Sequence, residues 1–403
     1  MIYDVIVIGA GPAGLFAAAN IKNKKVLIIE KNKTAGKKLL LSGAGQCNYT
    51  NNCEINEFLQ KYGDKGRFIK TALYNFTNHD ALCFFKGKGL NSIVREDNKV
   101  FPSTFKAMDV LNILIDCVKH TEMLFNTPAE KVSYDESKKV FYIKTDTANF
   151  ACRNLIIAVG GKSYPNTGSA GDGYKFAKSL GHSIVDPKPA LTPVYVEGYQ
   201  FKELSGISFE NIKISLFKNN KKAKEFTGDF LFTHVNISGP VIINNSRYMD
   251  AGDVLKVNFT SFNEDEFKVY FEKLILSSSK LSIKTALKRL NLPKRFIEKI
   301  LEISDVDESL SCGMLGKSPR KYLIELFSAH PMKIKKLGDY NIAMSTKGGV
   351  STAEINQKTM ESKKIPRLYF AGEILDYDGD TGGFNIQGAF STAKLAADHI
   401  NNN

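Results

Sequence analysis

The sequence predicts an α/β protein whose main domain is assembled from both ends of the chain and interrupted by a long insertion. Three observations predict it. A β-branched run over residues 2–8 is typical of a buried parallel strand, and a glycine turn and an apolar helix pattern follow it directly. A similar Gly-rich pattern with strand-like segments returns near residue 337. Between these two regions, the hydrophobic periodicity is typical of strands in the first part and of helices in the second part.

The local patterns predict the elements of this main domain one by one. Buried runs and alternating stretches predict strands, and a 3.6-residue period predicts helices. The predicted strands cover residues 2–8, 26–30, 129–134, 140–145, 154–159 and 367–371. The predicted helices cover residues 12–22 and 388–400, with a third that follows a Gly/Asp-rich turn within residues 168–180.

Changes of composition divide the chain into four segments. Residues 1–190 form the first part of the main domain, which ends near two prolines at 187–189. Residues 191–262 predict a β-rich module, and residues 263–337 carry apolar residues at helical spacing and predict a small helical subdomain. Residues 338–403 complete the main domain.

The composition is that of a globular protein with a basic surface. Its 403 residues are 43% hydrophobic and 24% charged, which allows two or three domains with buried cores. The net charge of +13 fits either a Lys-rich solvated surface or a polyanionic partner. The six cysteines occur singly, so we expect neither a disulfide framework nor a metal site. With no leader pattern and no apolar run of spanning length, we expect a cytoplasmic protein without membrane contact.

The first chemical motif is the glycine turn between the first strand and the first helix. In Gly9-x-Gly11-x-x-Gly14, the first glycine permits a tight turn, the second lets a pyrophosphate approach the backbone, and the third lets helix and strand pack closely. Glu30, sixteen residues beyond Gly14, can accept the ribose hydroxyls. The unit therefore predicts a dinucleotide site, but by itself it does not distinguish FAD from NAD.

Three further motifs extend this site. A Gly-rich loop over residues 36–48 follows the ribose acid, and a strand stops at the glycine pair of residues 160–161. Near the C-terminus a buried strand ends at Glu373, and the glycines of residues 379–383 precede a helix. In flavoproteins such an acid holds the ribityl hydroxyls, and the helix dipole stabilises negative charge on the reduced ring. This late element favours FAD over NAD.

These motifs resemble those of a known family, the YhiN/BaiN-like flavoproteins. The matching stretches cover essentially the whole chain: IGAGPAGLFAA, GKKLLLSGAGQCNYTN, AVGGKSYPNTGSAGDGYKFAKSLGH, PALTPV, STKGGVSTAEINQKTMESK and LYFAGEILDYDGDTGGFNIQGAFSTA. The resemblance implies a three-layer, Rossmann-like FAD-binding domain interrupted by a β-barrel-like and helical insert. It carries FAD contacts over to Gly9, Gly11, Gly14, Glu30, Lys31, Gly43, Val132, Gly161, Gly372, Glu373, Asn385 and Ile386.

Neighbouring residues of the same motifs complete the expected FAD-binding set. They are Pro12, Ala13, Lys38, Leu39, Ser42, Cys47, Asn48, Ala158, Gly160, Gly349 and Gly383. Two positions depart from the family pattern: Gln46 stands where many members have Arg, and Lys394 where they often have Gly. The first removes a fixed charge from the loop beside the flavin and leaves the cofactor assignment intact.

The family implies flavin redox chemistry and leaves the substrate open. Its activities include reduction of a C=C bond in a steroid-like acid, oxidation of a small amino ketone, and reduction of uracil in ribosomal RNA. The basic charge favours reduction of a uridine C5=C6 bond in 23S rRNA over a small amine. A small-molecule substrate, and a non-catalytic flavin-binding protein associated with RNA, remain alternatives.

No second G-x-G-x-x-G follows a strand, so we expect NAD(P)H to act at most as a transient reductant. The absence of C-x-x-C argues against a disulfide reductase.

Two residues are candidates for the catalytic acid. Cys47 lies in the Gly-rich loop that points toward the flavin, although a buried structural cysteine is the more ordinary explanation. His234 precedes a Gly-Pro pair in the insert, where a hydrogen-bonded scaffold histidine is the alternative. Tyr377, Asp378, Asp380 and Asp172 border the glycine turns and have the same ambiguity. The sequence does not indicate the oligomeric state.

Overall fold

The computed structural model describes every residue from 1 to 403. Its strands are β1 (Ile2–Ile8), β2 (Val26–Ile29), β3 (Thr50–Asn51), β4 (Ser92–Val94), β5 (Lys99–Pro102), β6 (Glu122–Leu124), β7 (Ala129–Asp135), β8 (Val140–Thr145), β9 (Asn149–Ile157), β10 (Ile184–Ala190), β11 (Val194–Val196), β12 (Ser208–Lys218), β13 (Lys221–Phe232), β14 (Ile237–Ser238), β15 (Val254–Asn258), β16 (His330–Leu337), β17 (Ser345–Val350) and β18 (Leu368–Phe370).

Twelve α-helices accompany these strands. They are α1 (Pro12–Asn20), α2 (Ile55–Gln60), α3 (Gly66–Asn75), α4 (Asn78–Gly87), α5 (Ala107–Cys117), α6 (Asp172–Ser179), α7 (Pro240–Asn245), α8 (Glu264–Ser277), α9 (Ile283–Leu287), α10 (Lys294–Ile303), α11 (Lys317–Ser328) and α12 (Phe384–Asn401). The chain divides into two compact units, Met1–Ala190 with Tyr340–Asn403, and Leu191–Asp339.

The first unit is built on a seven-stranded sheet with the order β6-β2-β1-β9-β8-β7, in which β18 also pairs with β9. Strand β1 pairs in parallel with β2 and β9, and its residues Val5, Ile6 and Val7 are fully buried. Burial on both faces explains why its sequence is a continuous β-branched run. Helices α1 and α12 pack against each other, and α1 also packs against α5. The predicted α/β, Rossmann-like class is confirmed.

Strand β9 pairs with β1 on one side and with two successive partners, β8 and β18, on the other. Its first half pairs antiparallel with β8, and its second half, Leu155–Ile157, pairs in parallel with β18. It begins at Asn149, five residues before the predicted start at 154. The difference has a physical cause: the first half belongs to the β7–β8–β9 meander, which is partly exposed and therefore lacks the continuous apolar pattern of the second half.

The C-terminal helix α12 begins at Phe384, four residues before the predicted start at 388. Gly383 precedes it with a φ of +95°, a left-handed conformation that ends the glycine turn. The structure therefore places Asn385 and Ile386 in the first turn of the helix.

The second unit contains a closed barrel with the strand order β11-β14-β13-β12-β15-β16 and the helices α7 to α11. The expectation of a helical subdomain over residues 263–337 is wrong at its end, because residues 330–337 form β16, which closes the barrel between β15 and β11. Met332 and Ile334 are buried while Lys333 and Lys335 are exposed. This is the two-residue period of a half-buried strand, which the preceding helical pattern obscured.

Aromatic side chains fill the core of the second unit, and they generate a stability prediction. Phe232 is fully buried, with ring centroids 4.5 Å from Phe201 and 4.9 Å from Phe230. We expect Phe232→Ala to lower the free energy of unfolding by about 3–5 kcal/mol, because it leaves a cavity that the barrel cannot close. Tyr322→Ala, at a position that is 43% exposed, is the matched control with little expected effect. Urea unfolding followed by circular dichroism measures both, and equal midpoints would contradict the prediction.

Candidate functional site

The glycine turn after β1 combines two tightly packed glycines with one that faces open space. A Cβ atom at Gly14 would lie 1.8 Å from the Gly9 carbonyl oxygen, and one at Gly9 would lie 2.6 Å from the Ala158 carbonyl oxygen. A Cβ atom at Gly11, in contrast, would have no neighbour within 4 Å. Gly11 immediately precedes Pro12, the first residue of α1, so the open space lies at a helix N-terminus, where an anionic pyrophosphate is favoured.

Glu30 joins the end of β2 to this turn. Its side chain is buried, and its Oε2 accepts a hydrogen bond of 2.8 Å from the Ala10 backbone N–H. Its Oε1 accepts bonds of 2.8 Å each from the backbone and side-chain N–H groups of Asn32. A carboxylate offers about four acceptor positions, so these three donors leave room for a ribose hydroxyl.

A network around Glu373 connects three of these motifs with strand β17. The Lys38 ammonium, from the Gly-rich loop, forms an ion pair with Glu373 and donates to Ser163 Oγ, which itself donates to Glu373 Oε1 over 2.9 Å. The Thr346 backbone N–H donates to the same oxygen over 2.8 Å. A Cβ atom at Gly161 would lie 2.5 Å from Thr346 Oγ1, so the glycine pair after β9 is packed against β17.

The Gly-rich loop owes its shape to its own polar side chains. Both amide hydrogens of Asn48 are used, since its Nδ2 donates to the carbonyl oxygens of Thr50 and Val100, each over 2.9 Å. Ser42 Oγ donates to the Leu39 carbonyl oxygen over 2.6 Å. Ala44 and Cys47 have positive φ angles of 55° and 59°, which are unusual for residues other than glycine. The exposed residues of the loop are Leu41, Gly43 and Ala44. Gly43 and Ala44 present mostly backbone, whereas Leu41 presents an apolar side chain that is 50% exposed.

Strand β3 fastens this loop to the N-terminus of α12. Thr50 Oγ1 donates to Gln387 Oε1 over 2.7 Å, and Asn51 Nδ2 donates to the Gly382 carbonyl oxygen over 3.1 Å. A Cβ atom at Gly383 would lie 2.3 Å from the Thr50 carbonyl oxygen, so only glycine fits there. Asn385 braces the same turn, because its amide exchanges two bonds of 2.8 Å with the Gly379 backbone.

The other expected cofactor residues take several places in the first unit. Lys31 forms an ion pair with Asp172, at the start of α6, and Val132 is buried on β7. A Cβ atom at Gly372 would lie 2.9 Å from the Ala13 Cβ atom, and one at Gly349 would lie 2.5 Å from a backbone oxygen. The remaining residues lie in the motifs described above: Leu39 is buried in its loop, Ala158 and Gly160 follow β9, and Ile386 is partly buried in α12.

Sequence reasoning did not single out several residues that hold the site together. Ser163, Thr346 and Gln387 act through contacts between distant segments, and the only signal for them was their position inside or beside a recognised motif. Arg95 is another case. Its Nη2 donates to Gln46 Oε1 over 2.8 Å, and its guanidinium lies 4.1 Å from the Phe101 ring centroid, so a positive charge stands beside the position that departs from the family pattern.

The two catalytic candidates have different surroundings. Cys47 is fully buried, and burial raises the pKa of its thiol to about 12. Such a thiol keeps its proton at neutral pH and is a weak acid. His234 is exposed in the turn between β13 and β14, within the second unit. Tyr377 is buried next to the glycine turn, and burial raises the pKa of its hydroxyl well above the usual value.

Comparison with known proteins agrees with this geometry. The model of the HI0933-like protein Rossmann domain matches residues 3–399. The chain belongs to this family. It is a family of FAD-dependent oxidoreductases, and the first unit is a Rossmann-type FAD-binding domain. Within the whole chain, no helix combines the length and apolar character needed to cross a membrane.

Three curated relatives of this HI0933-like chain align over nearly the full length of both partners. The ribosomal RNA dihydrouridine synthase of Haemophilus influenzae is 32% identical over 399 residues, with 97% of each chain covered. The Escherichia coli protein of the same name is 28% identical over 401 residues, covering 99% of this chain and 98% of that one. The 3-dehydro-bile acid delta(4,6)-reductase of Clostridium scindens is 28% identical over 400 residues, with 97% of each chain covered.

A solved structure confirms the fold. A flavocytochrome c3 fumarate reductase, in an open conformation, superposes with a TM-score of 0.53 at 14% identity, covering 99% of this chain and 78% of the other. At this identity the likeness concerns the fold alone.

The unequal packing of the glycines generates a prediction. We expect Gly11→Ala to leave the thermal stability of the FAD-free protein unchanged and to weaken FAD binding at least about tenfold, because its methyl group occupies the space open to the pyrophosphate. Gly14→Ala is the contrasting variant, and it should not fold stably, because its methyl group would collide with the backbone. Flavin fluorescence titration and thermal melting measure the two effects. Unchanged FAD affinity in Gly11→Ala would refute the assignment.

The burial of Cys47 generates a second prediction. We expect iodoacetamide to label exposed Cys83 quickly and Cys47 only after unfolding, as read by peptide mass spectrometry. Raising the pH from about 7 to about 9 should not accelerate the labelling of Cys47, because a thiol with a raised pKa remains protonated through this range. Labelling of both at similar rates would show that Cys47 is accessible.

Proposed function

We propose that this flavoprotein reduces the C5=C6 bond of a uridine in 23S rRNA to dihydrouridine. The observation that carries the proposal is the alignment with two ribosomal RNA dihydrouridine synthases over at least 97% of this chain and of each relative. The net charge of +13 supports a polyanionic substrate. The proposal places the enzyme in the cytoplasm, where its substrate is, with NAD(P)H as a transient reductant.

The proposal assigns each part of the cofactor to residues of the first unit. In the proposal, Gly11 and the N-terminus of α1 hold the pyrophosphate, and Glu30 holds the ribose of the adenosine half. The Lys38–Glu373 pair holds the ribityl hydroxyls, and the first turn of α12, with Asn385 and Ile386, stabilises negative charge on the ring. The side-chain amides of Asn48 and Asn385 already donate to carbonyl oxygens of the protein backbone. In the proposal, these two residues therefore contact the cofactor through their backbone groups.

Uracil is suited to hydride addition because its C5=C6 bond is conjugated with the C4 carbonyl. Reduced FAD, when bound, supplies a hydride to C6. The protein must then supply a proton at C5 and exclude bulk water from the reacting carbons. Cys47 and His234 are the proposed donors. Because the Cys47 thiol is fully buried and its raised pKa makes it a weak acid, the proposal favours His234, and Cys47→Ser is expected to leave the step that follows hydride transfer unchanged.

A second candidate is a small-molecule enone. It is favoured by the alignment with the bile acid reductase, whose coverage equals that of the Haemophilus protein at a slightly lower identity. A steroid-like acid carries one negative charge and gains little from a strongly basic surface, whereas an RNA gains much. The net charge of the chain therefore favours rRNA over a steroid as the proposed substrate.

The decisive measurement is nucleoside mass spectrometry of rRNA. We expect dihydrouridine to disappear from the 23S rRNA of a deletion strain and to return with the wild-type gene. It should not return with Gly11→Ala if that variant lacks FAD in the cell. Unchanged dihydrouridine in the deletion strain would refute the proposal. Flavin reoxidation under anaerobic conditions, with a steroid enone as acceptor, then tests the second candidate.

A further inference from the structure

The barrel of the second unit carries a basic face on five adjacent strands, β13, β12, β15, β16 and β11. Because side chains alternate along a strand, the residues opposite the buried barrel core form one outer surface. The register pairs Ser215 with Lys256, Val254 with Lys333, and Tyr195 with Lys336. The basic barrel face is the set of outward lysines Lys213, Lys222, Lys256, Lys333, Lys335 and Lys336.

This face has an excess of positive charge. Glu225 forms ion pairs with Lys213 and Lys222, and Glu197 forms one with Lys333. The other three lysines, Lys256, Lys335 and Lys336, form no ion pair. Since exposed like charges on neighbouring strands repel one another, three unneutralised ammonium groups on adjacent strands are a cost that an anionic partner would offset.

Two aromatic rings lie among these lysines. The Lys256 ammonium is 5.1 Å from the Phe217 ring centroid, and the Lys336 ammonium is 4.9 Å from that of Tyr195. Both rings are partly exposed. Each ammonium group lies over its ring. When the ammonium group moves onto a phosphate, the ring can stack on the adjoining unpaired base, which is how proteins bind single-stranded nucleic acid.

We propose that the basic barrel face binds a single-stranded segment of RNA, with Lys256, Lys335 and Lys336 on phosphates and Phe217 and Tyr195 under bases. The inference rests on the proposed function and deepens it by naming the surface that recruits the RNA. An anionic lipid surface shares the phosphate chemistry. It is the weaker candidate, because a lipid surface has no unpaired bases to engage the two rings.

The first test compares two triple variants of the full-length, FAD-loaded protein. Lys256→Ala/Lys335→Ala/Lys336→Ala removes the unpaired lysines of the face, and Lys273→Ala/Lys280→Ala/Lys288→Ala removes three exposed lysines of the helical part. The probe is a fluorescein-labelled single-stranded RNA of roughly 20 nucleotides, longer than a typical stacking platform. Near 0.15 M salt, we expect the face variant to bind at least about tenfold more weakly, and its salt slope to fall by about 2. The control variant should change neither quantity.

The second test separates stacking from charge. Phe217→Leu/Tyr195→Leu keeps the lysines and an apolar side chain but removes both rings. We expect it to weaken binding of the same RNA at least about fivefold while the salt slope stays at the wild-type value, because stacking releases no counterions. Wild-type flavin absorbance and melting temperature show that each variant is folded. Wild-type affinity in this variant would remove the rings from the proposal.

The outcomes distinguish this inference from the proposed function. Equal weakening by both triple variants, or wild-type affinity in the face variant, overturns the inference, even where dihydrouridine formation is normal. If the face variant loses binding to phosphatidylserine–phosphatidylcholine vesicles but keeps wild-type RNA binding, the face binds a membrane instead. If the face variant loses RNA binding while deletion of the gene leaves rRNA dihydrouridine unchanged, the surface stands and the proposed reaction fails.

Discussion

The carboxylate of Glu373 joins segments of the FAD-binding unit that lie up to 335 residues apart. Its partners come from the Gly-rich loop, the glycine pair after β9, and β17. A largely buried charge is tolerated only when its lone pairs are satisfied and a counter-charge is close, and Lys38, Ser163 and the Thr346 N–H meet both conditions. The loop that is expected to lie along the cofactor is therefore held by the same group that is expected to hold the ribityl chain.

The pairing of β10 with β17 allows this unit to contain an insertion of about 150 residues. Ala190, the last residue before the insertion, pairs with Ser345, the sixth residue after it. Since the two ends of the insertion are neighbours, closing the interrupted chain costs little more entropy than closing a short loop. The segment after the insertion can then complete the first unit. Strand β18 joins the sheet by pairing with β9, and helix α12 is bonded to β3 through Thr50 and Gln387.

Sequence reasoning succeeded where local pattern determines structure. The glycine turn, the buried run of β1 and the acid at Glu30 are all local. The structure forms the predicted strand and places Glu30 against the turn, and the cofactor contacts of these residues stay a prediction. It failed where the pattern is mixed. The first half of β9 is only partly buried because it belongs to a meander, and β16 follows directly on a helical segment. The hydrogen-bond partners of Glu373 could not be predicted from the sequence, because hydrogen bonds between distant segments produce no periodic pattern in it. The complete burial of Cys47, similarly, depends on tertiary packing.

In the proposals above, the features that distinguish an RNA substrate from a steroid lie in the second unit. The FAD-binding unit has features common to flavoproteins of different specificity, and relatives named for rRNA and for a bile acid both align over at least 97% of the chain. Neither the presence of the insertion nor the overall fold therefore separates the two substrate classes. What differs between an RNA and a steroid is the density of phosphate charge and the presence of stackable bases. Unpaired lysines beside Phe217 and Tyr195 match both properties of RNA, and a steroid would leave them without a role.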